Sequence, residues 1–223
     1  MASLLATRQN PWKFWVFLAG FFAIWVLRAT VIYSLADTHI TDPLAQQAFS
    51  NAIKALVWVV PVIIYLWYVD HTPPALALGL TTPLNRQSVL LSGAVIAIYL
   101  LGIVVFQRLG GQMLGATNHP LLALTLVSTV VSSFFEEVLF RGFVLAQLRR
   151  MVRFWPANVL TACLFTLTHW PNWVWTHGWG YPLVHSGAIL ILALVLGWLV
   201  RATNSLWPSI TLHSLNNVLA SLY

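Results

Sequence analysis

The chain has 223 residues, of which 59% are hydrophobic and 7% are charged. Soluble globular domains carry about a quarter charged residues, so this composition excludes an ordinary soluble fold and indicates a polytopic membrane protein. The eleven Lys and Arg residues outnumber the five Asp and Glu residues, but they are scattered, and we expect no nucleic-acid partner. The single cysteine, Cys163, excludes a disulfide framework and a cysteine metal cluster.

Hydropathy predicts an all-α bundle of seven membrane-crossing helices, or eight if a re-entrant or interfacial piece lies around 171–182. About 20 apolar residues are needed to cross a bilayer as a helix, and helices satisfy their own backbone hydrogen bonds inside lipid. The first apolar run is too long for the hydrophobic part of a signal peptide, so we expect it to remain as a span. The predicted spans are 12–35, 49–69, 88–108, 120–148, 156–170, 183–200 and 206–222.

The positions of Lys and Arg predict the orientation of the chain in the membrane. Positive charges precede the first and third predicted spans and follow the fourth and sixth, which places the N-terminus in the cytoplasm. Lys54 and Arg28 fit this pattern less well. We therefore predict an integral, multi-pass protein of a bacterial or archaeal inner membrane, with residues 1–223 forming one transmembrane domain.

Glu136 and Glu137 lie side by side in a stretch that is otherwise apolar. A charge at bilayer depth costs about 2.5–3.5 kcal/mol on insertion scales, and residues of this kind usually have a function. Residues four apart share a helix face, so Glu137 is expected to pair with Arg141. Glu136 has no cation on its own helix and is the candidate general base, with Ser132 as a hydrogen-bond donor on the same face.

Two further predicted helices carry polar residues at similar depth, roughly 10–20 Å from their cytoplasmic ends. His169 follows Phe165 by four residues, and Asn217 follows His213 by four. Two polar groups on one face of an apolar helix make His213 and Asn217 candidate functional residues, whereas His169 alone is equally compatible with a structural hydrogen bond. Asn216 is expected to face elsewhere and to bond a neighbouring helix. We expect these groups to line a polar cavity inside the membrane.

Three motifs therefore stand in order along the second half of the chain: Glu136-Glu137-x-x-x-Arg141, Phe165-x-x-x-His169 and His213-x-x-x-Asn217. They resemble the three motifs of the CPBP (CAAX protease and bacteriocin-processing, also called Abi) family of intramembrane proteases. The type II CAAX prenyl endopeptidases are related members. The resemblance implies a catalytic core at 120–222, within the single transmembrane domain.

The resemblance also implies a mechanism for a glutamic-type intramembrane endopeptidase. In this mechanism Glu136 activates a water for attack on a peptide bond, and His169 assists. His213 and Asn217 polarise the scissile carbonyl as an oxyanion site. The expected partners are the lipid bilayer and a protein or peptide substrate, with or without a lipid.

Supporting roles are implied for the remaining motif residues, Glu137, Arg141 and Phe165. The resemblance implies catalysis without a metal, so we expect no cofactor. One Glu and two His also resemble a catalytic zinc set with an open water position, and a metalloprotease mechanism therefore stays open from the sequence.

Three alternatives to a protease acting near the cytoplasmic face remain open. The protein could be a sorting-type protease that trims the C-terminal membrane anchor of a secreted protein. It could be a non-enzymatic bacteriocin-immunity or scaffold protein. A proton-coupled carrier is disfavoured because the sequence has no internal repeat of the transporter type.

Overall fold

The computed structural model describes residues 11–110 and 122–221, and every regular element in these ranges is helical, which confirms the all-α prediction. The described chain contains twelve α-helices and two π-helical segments, Arg28–Ile32 and Val138–Val144. The α-helices are α1 (Trp12–Leu27), α2 (Tyr33–His39), α3 (Pro43–Trp58), α4 (Val60–Tyr68), α5 (Pro74–Ala77), α6 (Arg86–Gly110), α7 (Leu122–Glu137), α8 (Leu145–Met151), α9 (Phe154–Leu167), α10 (Trp170–His177), α11 (Gly180–Thr203) and α12 (Trp207–Ala220).

Four helical stretches in the described ranges are long and apolar enough to cross a membrane: Trp12–Ala36, Pro43–Tyr68, Arg86–Val105 and Gly180–Thr203. They coincide with the first, second, third and sixth predicted spans. The total of seven or eight spans stays a prediction, as do the boundaries at 120 and 222, which lie outside the described residues. The short helix α10 covers the first part of 171–182, the region of the predicted re-entrant or interfacial piece.

The ends of the helices follow from local sequence. Asp42 caps α3, because its Oδ2 accepts a hydrogen bond of 2.7 Å from the backbone N–H of Ala45. Pro61 lies in the first turn of α4, where its missing N–H is tolerated. Before the last helix, Asn204 ends α11 in the left-handed conformation (φ 52°), and Pro208 lies in the first turn of α12. These breaks set where the motif-bearing helices begin and end.

The helix that carries the two adjacent glutamates lies at the centre of the bundle. Helix α7 packs against both α3 and α12, while α9 packs against α11. The π-helical segment Val138–Val144 continues α7 and is buried along its whole length. Within it, the ring centroid of Phe140 lies 5.3 Å from that of Phe165 and 5.6 Å from that of Trp58. The end of α7 therefore stands between α3 on one side and α12 on the other.

The distribution of polarity is the reverse of that in a soluble protein. Large apolar side chains are exposed on the outside, with Ile98 at 70% and Val184 at 77%. By contrast, Ser133, Glu137 and Ser209 have no exposed surface. This arrangement suits a bundle whose outside faces lipid and whose interior polar groups bond one another.

Gly197 allows α11 to approach α9 closely. A Cβ atom at this position would lie 1.8 Å from Oδ1 of Asn158. Asn158 uses its Nδ2 to donate a hydrogen bond of 3.0 Å to the backbone carbonyl of Leu194 on α11. Small residues at helix contacts in membranes permit close packing and polar contacts of this kind between helices.

We expect Gly197→Ala to destabilise the protein, because the added methyl group must displace Asn158. Overpacking of this type costs about 1–3 kcal/mol. Thermal unfolding of the purified protein in detergent, followed by Trp fluorescence, measures the loss. Gly187→Ala is the matched control on the same helix, since no atom lies within 4 Å of the added Cβ there. Equal midpoints for the two variants would contradict the close contact.

Candidate active site

Glu136, in the last turn of α7, has a different neighbour at each carboxylate oxygen. On the α3 side, the ammonium group of Lys54 donates to Oε1. The hydroxyl of Ser132 lies 3.4 Å from the same oxygen, as its four-residue spacing predicts. On the α12 side, Nε2 of His213 lies 3.6 Å from Oε2. Glu136 thus joins three helical elements at one carboxylate.

Glu137 is turned into the interior and has no exposed surface. Nη1 of Arg141 donates to its Oε1 at 2.9 Å, so the ion pair expected from the four-residue spacing is present. Ser209 donates to Oε2, and Nδ1 of His213 lies 2.7 Å from Oε1. Because a carboxylate paired with arginine accepts hydrogen bonds, Nδ1 of His213 carries the proton and Nε2 faces Glu136. Glu137 therefore orients the imidazole as well as the guanidinium.

The ring of Phe165 connects the second and third motifs. Its centroid lies 5.1 Å from that of His169 and 5.6 Å from that of His213, both in edge-on packing. The guanidinium carbon of Arg141 lies 4.3 Å from the same centroid. Two imidazoles and one guanidinium are thus packed around a single buried ring.

His169 lies at the junction of α9 and α10. Its Nδ1 donates a hydrogen bond of 3.2 Å to the backbone carbonyl of Phe165, so Nε2 of the neutral ring carries the lone pair. The imidazole packs on the ring of Phe165, which the imidazole of His213 also contacts. Trp173 from α10 packs on its other side, with ring centroids 5.4 Å apart.

Asn217 lies one turn beyond His213, and other side chains hold both ends of its amide. Its Nδ2 donates to Oγ of Ser133 at 3.0 Å, and its Oδ1 accepts from Nδ2 of Asn216 at 2.8 Å. The Oδ1 atom of Asn216 in turn accepts from the hydroxyl of Tyr99 on α6. Asn216 does bond a neighbouring helix, as expected. The sequence did not predict that the amide of Asn216 also bonds that of Asn217.

Lys54 is the charged member of this cluster that the sequence did not predict. Its Nζ bonds Glu136, lies 2.5 Å from Oγ of Ser132, and stands 4.8 Å from the ring centroid of Trp58. The residue is 8% exposed, which explains why it does not follow the charge pattern of the loops. A lone lysine in one predicted span and an unpaired glutamate in another were the available signal, because charges inside a membrane pair with one another.

A further question is whether these side chains could bind a metal ion. In residues 11–110 and 122–221, no group of three or more His, Cys, Asp or Glu side chains is placed to hold a metal ion. Lys54 bonds one oxygen of Glu136, while Arg141 and Ser209 bond the two oxygens of Glu137. A divalent cation at Oε1 of Glu136 or at Glu137 would have to displace these donors, and one at Oε2 of Glu136 would lie close to the ammonium group of Lys54.

The second half of the chain is similar to a known protein family. Residues 118–219 match the family model of the type II CAAX prenyl endopeptidases, described as Rce1-like. This segment is therefore similar to the Rce1-like family. All three motifs lie inside it, whereas Lys54 and Tyr99 lie before it. The Rce1-like domain implies a protease, and the four apolar helices fit an integral membrane protein. No significant match was found among curated proteins or solved structures.

We expect Glu137→Gln to lower the free energy of unfolding by about 3–5 kcal/mol, because it leaves the buried guanidinium of Arg141 without a carboxylate. The double variant Glu137→Gln/Arg141→Met removes both charges and should recover most of this loss. Reversible unfolding in mixtures of detergent and SDS measures both variants. A single variant as stable as the wild-type protein would contradict a charged pair.

Proposed function

We propose that this protein is an intramembrane endopeptidase of the glutamic type. It hydrolyses a peptide bond in the C-terminal tail of a membrane-associated substrate. The observation that supports this most directly is the approach of Glu136 Oε2 to His213 Nε2, with Glu137 holding the far side of the imidazole. The Rce1-like domain supports a peptide bond as the target. In this proposal 120–222 form the catalytic core of a single transmembrane domain.

Glu136 is the general base of the proposed reaction. Its Oε2 accepts a proton from water as the water oxygen bonds the carbonyl carbon of the peptide. Nε2 of His169 accepts a hydrogen bond from the same water and orients it. When the tetrahedral intermediate collapses, the C–N bond breaks, and the proton held by Glu136 passes to the leaving nitrogen. Acid and amine products result, and Glu136 returns to its ionised form.

His213 and Asn217 stabilise the oxyanion in this proposal. They lie one turn apart on the same face of α12. Asn217 offers the second N–H of Nδ2, and His213 offers Nε2–H when its ring is protonated. Fixed donors of this kind contribute about 2.7–4 kcal/mol in known enzymes. Glu137 holds the imidazole, and Ser133 holds the amide, so little reorientation is needed during the reaction.

The proposed substrate class follows from the family. The matched model describes prenyl endopeptidases, so we propose a C-terminal tail that reaches the site from the membrane, with or without an attached lipid. An internally quenched peptide ending in a CAAX sequence, prepared with and without an S-farnesyl group, is the probe for this class.

We expect Glu136→Gln to abolish cleavage of this peptide in proteoliposomes, because the amide cannot accept the proton. General-base catalysis contributes about 10²–10⁴-fold, which sets the expected loss. His169→Ala and His213→Ala should be nearly inactive, and Asn217→Ala should retain part of the activity. Thermal midpoints of the same preparations show whether each variant is folded. Undiminished cleavage by folded Glu136→Gln protein would overturn the assignment.

A comparison in cells extends this test beyond one peptide. The C-termini of membrane proteins are compared between cells that express the wild-type protein and cells that express Glu136→Gln, and they should differ at the natural substrates. The side of the membrane on which the product appears distinguishes a sorting-type protease from one that acts near the cytoplasmic face. A protective phenotype that Glu136→Gln retains, without any change in C-termini, would instead favour a non-enzymatic immunity role.

We further propose that catalysis needs no metal. The contact that supports this is the ammonium group of Lys54 on Glu136, because a second cation on the same carboxylate would be repelled.

Cleavage of the peptide should therefore survive dialysis against a strong chelator. Elemental analysis of the active preparation should find no stoichiometric transition metal. Activity that disappears on chelation and returns only with added zinc would establish a metalloprotease instead.

A further inference from the structure

Lys54 lies on α3, outside the segment that matches the Rce1-like family, yet its ammonium group lies within the candidate site. We propose that Lys54 is a positioning residue for the reaction: it holds Oε1 of Glu136, keeps the carboxylate ionised and presents Oε2 to the attacking water. This inference rests on the proposed role of Glu136 as the base. It gives the first half of the chain a part in the chemistry.

The side chains around Lys54 form a recess that fits an ammonium group. Nζ has three N–H donors. It donates to Oε1 of Glu136 and to Oγ of Ser132, and the face of Trp58 lies on a further side. The side chains of Lys54 and Glu136 are each only 10% exposed. A lysine in such surroundings is costly unless it is paired, so the recess fixes the charge at one place.

The contacts are directional with respect to the carboxylate. Lys54 and Ser132 both approach Oε1, whereas Oε2 is turned towards Nε2 of His213. A carboxylate that is held through one oxygen presents the other in a defined orientation. The ion pair could instead inhibit the protein by occupying the base. The geometry favours positioning, because the oxygen next to His213 is the one that Lys54 leaves open.

The charged and titratable groups near Glu136 are Lys54 from α3, His213 from α12, His169 from the junction of α9 and α10, and Glu137 and Arg141 from its own helical stretch. Arg141 and His213 both bond Glu137. Among the lysines and arginines in the described part of the chain, Lys54 is the one that bonds Glu136 directly. We therefore expect the ionisation of Glu136 to depend on Lys54 more than on Arg141.

The pH dependence of kcat/KM with the farnesylated peptide tests this inference. In Lys54→Met, the acidic limb of the profile should move to higher pH by about 1–3 units, because an opposite charge at this distance favours the carboxylate by that amount. Activity should fall at neutral pH and return in part at alkaline pH. A purely structural role would lower activity equally at every pH.

Two variants serve as controls for this profile. Lys54→Arg keeps a positive charge and should keep the acidic limb near its wild-type position. Arg201→Met removes a cation at the end of α11, whose guanidinium carbon lies 4.4 Å from the ring centroid of Phe154. Its profile should keep the wild-type shape, because Arg201 is not among the charged groups near Glu136.

Infrared difference spectroscopy gives a second measurement that needs no turnover. The C=O absorption of a protonated carboxyl should be present at neutral pH in Lys54→Met and missing in the wild-type protein. The band is assigned to Glu136 if it disappears in the double variant Lys54→Met/Glu136→Gln. Lys54→Gln, which also removes the charge, replaces Lys54→Met if that variant does not accumulate as folded protein.

The outcomes separate this inference from the proposed function. The role of Lys54 would be overturned if Lys54→Met kept the wild-type pH profile and lacked the C=O absorption of a protonated carboxyl. Activity of Lys54→Met above that of the wild type would also overturn it. Full activity of Glu136→Gln would overturn the proposed base instead, and the infrared result would still report whether Lys54 controls the ionisation of Glu136.

Discussion

The adjacent carboxylates of Glu136 and Glu137 are tolerated in an apolar bundle because each has its own cation. Glu137 pairs with Arg141 from its own helical stretch, and Glu136 pairs with Lys54 from α3. A buried charge that lacks a partner costs several kcal/mol, so one shared cation would leave the second carboxylate uncompensated. Neighbouring residues on a helix point about 100° apart, which lets the two pairs form in different directions. The need for a second cation accounts for the contact between α7 and α3.

The same contacts serve both stability and chemistry. Glu137 neutralises Arg141, but it also fixes which nitrogen of His213 faces Glu136. A change at Glu137 therefore alters the tautomer of a proposed catalytic group as well as the packing. The amide of Asn217 is constrained in a comparable way by Ser133 and Asn216. Residues that look structural in the motifs thus determine the orientation of residues that are proposed to react.

The spacing of residues within one helix predicted the local part of this site. The pairing of Glu137 with Arg141 and the helical class of the protein were both available from the sequence. Contacts between helices were not, because they depend on how each helix is rotated against its neighbour. Lys54 and Tyr99 belong to this second group. Hydropathy also cannot decide whether a helix of 14 residues such as α9, buried on one face and exposed on the other, crosses the membrane, so it left the number of spans open.

The family match and the site have different boundaries, and this difference has a physical consequence. The segment 118–219 contains the proposed base and both proposed oxyanion donors. The cation on Glu136 comes from α3, and the hydroxyl behind Asn216 comes from α6. Without α3, the carboxylate of Glu136 would lose the ion pair that offsets its burial. The matched segment therefore contains the groups that are proposed to react, while the preceding helices supply the cation on Glu136 and the hydroxyl on Asn216.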